Sequence, residues 1–585
     1  MKFNTSNLET KTSSIKLYAP HILWCITVII ASLFLALVIK FSHSGYFPPD
    51  DVSIFFDQTH SFFNGSLSLK SVLDYLFGVT LFPHPKLTAR LYSLASILIF
   101  GSIDMKLAQI IGNVALLYLV YLISKDFLAD KVKQAYLCSL IAAILLTPIV
   151  NTFWTISIIS LPFLFIFLYR GFSCLALENY RLATVFFFLS TFTSGQGFLF
   201  IGPAFVLLGF LTYATNNYSL RKFYFIASCI LIVGLFLVSI YLPNSNSSGS
   251  VSLAGSDSIL VKFVSFFSFL GGHWNQFSFI VATNSAINLG VLTFLVFTYC
   301  SIRGIIQKDI LAMKISAFGL FFILLAVLAT ISRLSDNQFD DITISSRYYI
   351  HSILFLICTL TLYINAFKLS FAVHVPLLCV ILLCYSIRLT SEHRYLHRSH
   401  KLKEHVNKGV ILNDDTFNHV SKHPSRHYEI KKAIEHKLYE IPTHYLPKNL
   451  HDTHIKSNRD ELKDRSIIIS KHFNQFNSLW IEYMTARKYT VKSEHILMLN
   501  NQDTGRKYYF EPQIVDLSKF ERDKYFKNSI NTKTFNDYKT KYSVFLPSQT
   551  LSLDDGTYSI KLFIQVGNKC YWKKIGSLNI EQDKK

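Results

Sequence analysis

Charge is scarce in this chain. Asp, Glu, Lys and Arg together make up 16% of its 585 residues, against about a quarter in a soluble globular protein, so a chain that is soluble throughout is excluded. Cysteine supplies no scaffold. Cys25, Cys138, Cys174, Cys229, Cys300, Cys358, Cys379 and Cys384 fall in or beside apolar runs, where a thiol acts as a small hydrophobe. Only Cys570 lies elsewhere, and no Cys/His spacing suits zinc, which excludes a disulfide framework and a structural zinc site. The long apolar runs also lack mid-span ionisable residues and internal repeats. That argues against a transporter, which needs the former for its pathway and often shows the latter.

What fills the chain is apolar and aromatic. Hydrophobic residues are 51% and aromatic residues 15%, with 52 Phe and 31 Tyr, and the mean hydropathy is +0.33. Crossing about 30 Å of hydrocarbon takes about 20 apolar residues. About eleven runs qualify, near 22–41, 107–124, 135–152, 154–169, 182–196, 198–214, 223–242, 281–302, 311–332, 348–366 and 370–389, of which 154–169 and 182–196 are the weakest. Lys and Arg collect on the cytoplasmic side of membrane proteins. With residues 1–21 inside, alternate loops hold Lys125, Lys131 and Lys133, Arg170 and Arg181, Arg221 and Lys222, Arg303, Lys308 and Lys314, and Lys368. The intervening turns at 151–153 and 194–197 hold none, and 243–280 holds only Lys262. The expected topology puts the amino terminus in the cytoplasm and everything after 389 outside, and the first run, which lacks a small-residue cleavage site, is expected to stay as a signal anchor.

The tail divides in two. Residues 390–465 are rich in His, Lys and Arg without a spacing that gathers metal ligands, and read as a solvated connector near anionic head groups or glycan. From 466 to 582 the hydrophobic period switches to two over seven short segments, 466–469, 477–484, 495–500, 507–510, 542–547, 557–566 and 570–578. These predict a small β-sandwich. The expected fold is therefore an α-helical polytopic membrane domain over 22–389 with an extracytoplasmic β-domain behind it. On that topology nucleic acid is not a partner.

Uncommon residues gather on the outer side. The first outer loop, 42–106, opens on Pro48-Pro49-Asp50-Asp51. Two adjacent carboxylates beside a bilayer are costly to desolvate and suit a base, a proton or a metal; the same residues also make a good turn and helix N-cap. Helical spacing over 68–79 and 87–100 predicts two interfacial helices, separated by Leu81-Phe82-Pro83-His84-Pro85-Lys86, with Arg90 on the second. Three further outer features follow: Thr193-Ser194-Gly195-Gln196-Gly197, the run 259–270 ending in Gly271-Gly272-His273-Trp274, and Ser345-Ser346-Arg347-Tyr348-Tyr349. Arg347 stands at the outer mouth of a span, where its guanidinium suits a phosphate or an interfacial anchor.

In this order Asp50-Asp51, the stretch 84–100, 190–197, Phe269-Leu270-Gly271-Gly272 and Ser346-Arg347-Tyr348 resemble landmarks of a group of bacterial polytopic proteins. That group is similar in layout to the O-antigen glucosyltransferases, within the GT-C class of integral-membrane glycosyltransferases. The likeness covers about residues 20–390. It implies a polyprenyl-phosphate sugar as donor, a cell-surface glycan or lipid as acceptor, and a place in the bacterial inner membrane. It further implies Asp50 or Asp51 as the carboxylate that deprotonates the acceptor hydroxyl, and Arg347 with Lys86, Arg90 or Lys262 on the departing phosphate. His84, Tyr348, Gln196 and His273 would be accessory. A divalent metal on Asp50 and Asp51 is compatible with this chemistry and not required by it, since Arg can neutralise the phosphate alone. Where related proteins carry a His-Arg pair this chain has His84-Pro85-Lys86, which leaves Arg90, one helical turn on, as the substitute. The alternatives are a flippase or transporter of a lipid-linked glycan, an O-antigen polymerase or ligase, and an acyltransferase.

Overall fold

The computed structural model describes residues 6–41, 55, 59, 62, 68–77, 86–127, 130–146, 159–215, 219–241, 259–273, 283–333, 349–367, 375–387 and 437. In the tail it describes 468–473, 479–486, 493–503, 507–510, 513–515, 538–546, 556–566 and 569–580. Asp50, Asp51, His84, Arg347 and Tyr348 lie outside the described residues, as does the connector apart from Lys437. The chain divides into a helical unit and a β-rich unit.

Each apolar run contains a helix. In chain order the helices are α1 (Ser6–Phe41), α2 (Leu69–Phe77), α3 (Leu87–Phe100), α4 (Met105–Ser124), α5 (Lys131–Leu145), α6 (Ser160–Ala176) and α7 (Tyr180–Thr193). They continue as α8 (Ile201–Thr215), α9 (Leu220–Tyr241), α10 (Ile259–Leu270), α11 (Thr283–Ile306), α12 (Ile310–Arg333), α13 (Tyr349–Ala366) and α14 (Val375–Ile387). Among the described residues, 7 helical segments are long and apolar enough to cross a membrane: α1, α4, α8 together with the 3₁₀ segment Gly195–Phe200 that leads into it, α9, α11, α12 and α13. In the remaining four expected spans the described helices are shorter, with α5 at 15 residues, α6 at 17, α7 at 14 and α14 between 10 and 17. At about 1.5 Å per residue each is below the length that spans the hydrocarbon by itself. The helices expected over 68–79 and 87–100 are α2 and α3.

Burial separates centre from periphery. Phe165 and Phe172 of α6, Phe318 and Phe322 of α12 and Phe355 of α13 are fully buried and form the middle of one apolar core. By contrast Ile29 and Ile39 of α1 and Leu231 of α9 are more than half exposed. Apolar faces left open on helices of this length call for hydrocarbon rather than water around them, so this unit is a helical membrane protein.

Two turns have the same construction. After α6, Glu178 takes φ 56 and Asn179 N–H donates to the Cys174 carbonyl at 2.8 Å. After α11, Lys308 takes φ 54 and Asp309 N–H donates to the Gly304 carbonyl at 2.9 Å. In both, the residue ending the turn caps the next helix: Asn179 Oδ1 accepts from Leu182 N–H, and Asp309 Oδ1 accepts from Leu311 and Ala312 N–H. These are left-handed C-terminal caps followed at once by N-caps, which is how a helix pair reverses in three residues.

At the same end of the bundle Asp126, in the 3₁₀ turn Lys125–Phe127 after α4, accepts from both Tyr169 Oη of α6 and Lys314 Nζ of α12. The Lys314 ammonium also lies 5.1 Å from the Tyr169 ring centre. Lys314 is 7% exposed and Asp126 16%, so the pair is desolvated and pins three helices together. Burying a lysine there is tolerable only because carboxylate and aromatic face both meet it.

The β-rich unit holds eight strands: β1 (Ile468–Phe473), β2 (Leu479–Ala486), β3 (Ser493–Asn501), β4 (Lys507–Phe510), β5 (Gln513–Val515), β6 (Tyr538–Leu546), β7 (Gly556–Val566) and β8 (Lys569–Ile580). They form two antiparallel four-stranded sheets, β1-β2-β6-β5 and β4-β3-β7-β8. In the second, Leu497 faces Leu562 and Leu499 faces Ile560, and all four are buried, the two-residue alternation expected of a sheet with one packed face. The three-residue β5 is the strand that alternation could not signal.

The desolvated cluster yields a test. Lys314→Met leaves Asp126 without its cation and should destabilise the protein by about 3–5 kcal/mol, the scale for breaking one side of a buried pair. Lys314→Met combined with Asp126→Asn keeps an acceptor for Tyr169 and should recover more than half of that loss in detergent unfolding experiments. Equal loss in the single and double variants would show that the charge pair is not what holds α4, α6 and α12.

Candidate functional site

The opposite end of the bundle is built from segments far apart in sequence. Arg90 is 2% exposed on α3. Its Nη1 donates to the Tyr75 carbonyl at the end of α2, and its guanidinium carbon lies 5.6 Å from the Tyr75 ring centre. The cation thus sits where the last carbonyls of α2 present partial negative charge, and α2 and α3 are joined through it. Leu87, at the start of α3, is buried with Phe192 of α7 and Phe236 of α9, and Phe77 and Phe198 pack on the same group. The α2–α3 platform is therefore seated on the turn between α7 and α8.

That turn is tight for a specific reason. Gly197 N–H donates to the Ser194 carbonyl at 2.7 Å, and a Cβ on Gly197 would overlap the Ser190 carbonyl and the Thr191 backbone. Only glycine lets the 3₁₀ segment Gly195–Phe200 fold back on the end of α7, and this fold-back delivers Gln196. Gln196 Oε1 lies 3.1 Å from His351 Nε2 in the first turn of α13. His351 stands edge-on to Phe165 at 5.5 Å between ring centres.

The next residue of α13 makes the second half of the site. Ser352 Oγ accepts from His273 N–H at 2.9 Å, donates to the Leu270 carbonyl at 2.6 Å and lies 2.8 Å from His273 Nδ1. His273 Nδ1 is also 3.1 Å from the Leu270 carbonyl. His273 is 1% exposed, and its Nε2 has no hydrogen-bond partner among the described residues. Burial pushes its pKa down to about 4, against a smaller opposing pull from the Leu270 carbonyl. α10, which delivers His273, is locked in place by a backbone crossing: a Cβ on Gly271 or on Gly290 of α11 would overlap the other helix's main chain, the close approach that small residues permit between membrane helices.

Of the site residues expected from sequence, Gln196 and His273 come together through His351 and Ser352. Arg90 is engaged with Tyr75, Lys86 occupies the N-cap position of α3, and Lys262 lies half-buried on α10. His351 and Ser352 were not expected. They follow Ser346-Arg347-Tyr348 within one helical turn, but on an apolar helix a His and a Ser carry no pattern that separates them from core residues. Among the described residues no group of His, Cys, Asp and Glu could hold a metal ion. Comparison of the chain with family models, with curated proteins and with solved structures gives no match.

The buried imidazole makes stability depend on acid. A histidine whose folded pKa is about 4 and whose unfolded pKa is about 6.5 binds its proton more readily when unfolded. Stability is therefore unaffected above about pH 6.5 and is lost as the pH falls from there toward 4, by about 1.4 kcal/mol per unit over this interval. His273→Asn, which keeps a donor in the Nδ1 position, should flatten that segment of the stability–pH curve. An unchanged slope would mean that other groups produce it.

Proposed function

We propose that this chain is an integral-membrane glycosyltransferase that moves a sugar from a polyprenyl-phosphate donor to a cell-surface glycan or glycolipid on the extracytoplasmic face of the bacterial inner membrane. What supports the reading most is convergence. The stretch with Leu87 and Arg90, the turn with Gln196, the Leu270–His273 corner and the start of α13 lie far apart in sequence, yet are linked at one end of the bundle by packing and hydrogen bonds. The first three of these segments carry landmarks of the resemblance to the GT-C class, the start of α13 follows directly on a fourth, Ser346-Arg347-Tyr348, and a donor site needs them together.

In this reading the acceptor oxygen attacks the anomeric carbon while the bond from that carbon to the phosphate oxygen breaks. The phosphate departs with the electron pair, and the hydroxyl proton passes to Asp50, with Asp51 beside it. Arg347, Lys86 and Lys262 neutralise the phosphate, and Arg90 holds the platform that frames the site. The seven long helices cross the bilayer, with the shorter α5, α6, α7 and α14 lying in the remaining four expected spans, the tail from 390 lies outside, and the two sheets stack as a sandwich. Transport is favoured less, because among the described residues the buried charges Arg90, Lys222 and Lys314, with Asp126, lie near helix ends rather than mid-span, whereas ion and substrate pathways place them at depth.

Asp50 separates catalysis from helix capping. Asn caps a helix about as well as Asp but cannot accept the proton. Asp50→Asn should slow glycan modification by about 10²–10⁴-fold with thermal stability nearly unchanged, and Asp51→Asn should do so less. Wild-type rates in both single variants and in the double variant would remove the acidic pair from the mechanism.

Topology is tested separately. A reporter that is active only in the cytoplasm should be silent when fused after Lys585 and active when fused within the loop near Lys131. Cytoplasmic activity after Lys585 would invert the assignment of faces.

A further inference from the structure

The Ser352–His273 corner fixes the tautomer of His273. The Leu270 carbonyl can only accept, and it lies 2.6 Å from Ser352 Oγ and 3.1 Å from His273 Nδ1. If the serine hydroxyl turned toward Nδ1, that carbonyl would face two atoms with no hydrogen between them. The arrangement that gives every atom a partner has the serine donating to Leu270 and His273 Nδ1–H donating to the serine oxygen and the carbonyl. Nε2 is then the lone-pair nitrogen. It is buried, without a partner among the described residues, and able only to accept.

An acceptor in that position selects its ligand by chemistry. A phosphodiester anion or a phosphomonoester dianion brings oxygens without hydrogens and would be repelled, whereas a hydroxyl satisfies the nitrogen and relieves the desolvation of an unpaired polar group. The neighbouring pair has the opposite polarity. Gln196 Oε1 is turned to His351 Nε2, so its amide NH₂ is directed away from His351, and Gln196 is only half-buried. A buried acceptor and a more accessible donor held on consecutive residues of α13 match the paired donor and acceptor character of sugar hydroxyls, and a nitrogen this buried suits a sugar carried in on a lipid rather than a glycan entering from water.

We infer that His273 Nε2 is a specificity contact for one hydroxyl of the transferred sugar, held in a subsite distinct from the cations that take the phosphate. This rests on the glycosyltransferase reading and names a subsite within it.

The test measures binding of two probes to the full-length protein in detergent: polyprenyl phosphate, and the same lipid phosphate carrying a hexose. The wild type should bind the hexosyl form more tightly. His273→Asn, which retains the hydrogen bonds of Nδ1, should weaken binding of the hexosyl form by about three- to tenfold and leave the bare lipid phosphate unchanged. Equal weakening of both probes, or of neither, would overturn the inference while leaving the glycosyltransferase reading in place. Failure of the wild type to bind either probe would instead remove that reading and the inference with it. A series of monodeoxy hexosyl donors tests the same point on the wild type, with no dependence on how the variant folds: one position, and its deoxygenation alone, should reproduce the three- to tenfold loss. A series in which no single deoxygenation lowers affinity would overturn the inference.

Discussion

A polar side chain carried into an apolar bundle is costly until it meets a partner there, and this constraint decides where the helices of this protein touch. Water is not there to compensate an unmet donor or acceptor, so a polar group that finds a partner specifies a contact. Thr27 and Ser139 pair at 2.9 Å and Ser139 donates to the Leu23 carbonyl, which registers α1 on α5. Asp126 registers α4, α6 and α12 at one end, and Gln196 and Ser352 register α8, α13 and the end of α10 at the other. The aromatic mass between these points fills space without choosing a register. Phe165, Phe318 and Phe322 meet at tilted or edge-on angles that many helix rotations would accommodate.

The sequence was most legible where periodicity and composition act alone. Apolar length located the helices, helical spacing located α2 and α3, and period-two alternation located seven of the eight strands. Length gave less than it promised for α5, α6, α7 and α14, because an apolar run reports hydrophobicity and a helix additionally needs its ends to be helical. Pro162 and Asn179 bracket α6 near its two ends, so the helix runs on to Ala176 where apolar content alone marks 154–169.

The site was legible in part, for reasons that concern particular residues. Gly197 and Gly271 are places where a methyl group would meet main chain, and Gln196 and His273 beside them were legible only as accessory residues that the resemblance implies. His351 and Ser352 gave no signal because their meaning lies wholly in partners at positions 196, 270 and 273. Asp126 was passed over for the same reason. A lone acid after a span looks like a solvated end, and its partners are 43 and 188 residues away.

The Lys314–Asp126 pair has an electrical consequence. A single elementary charge moved through a membrane potential exchanges about 2.3 kcal/mol per 100 mV, which is enough to bias a helix rearrangement. Here the two opposite charges are bound to one another across α4 and α12, so any displacement that carries them together transports no net charge. Displacement of this pair as a unit is therefore uncoupled from the voltage across the bilayer, whatever the lysines and arginines around it contribute.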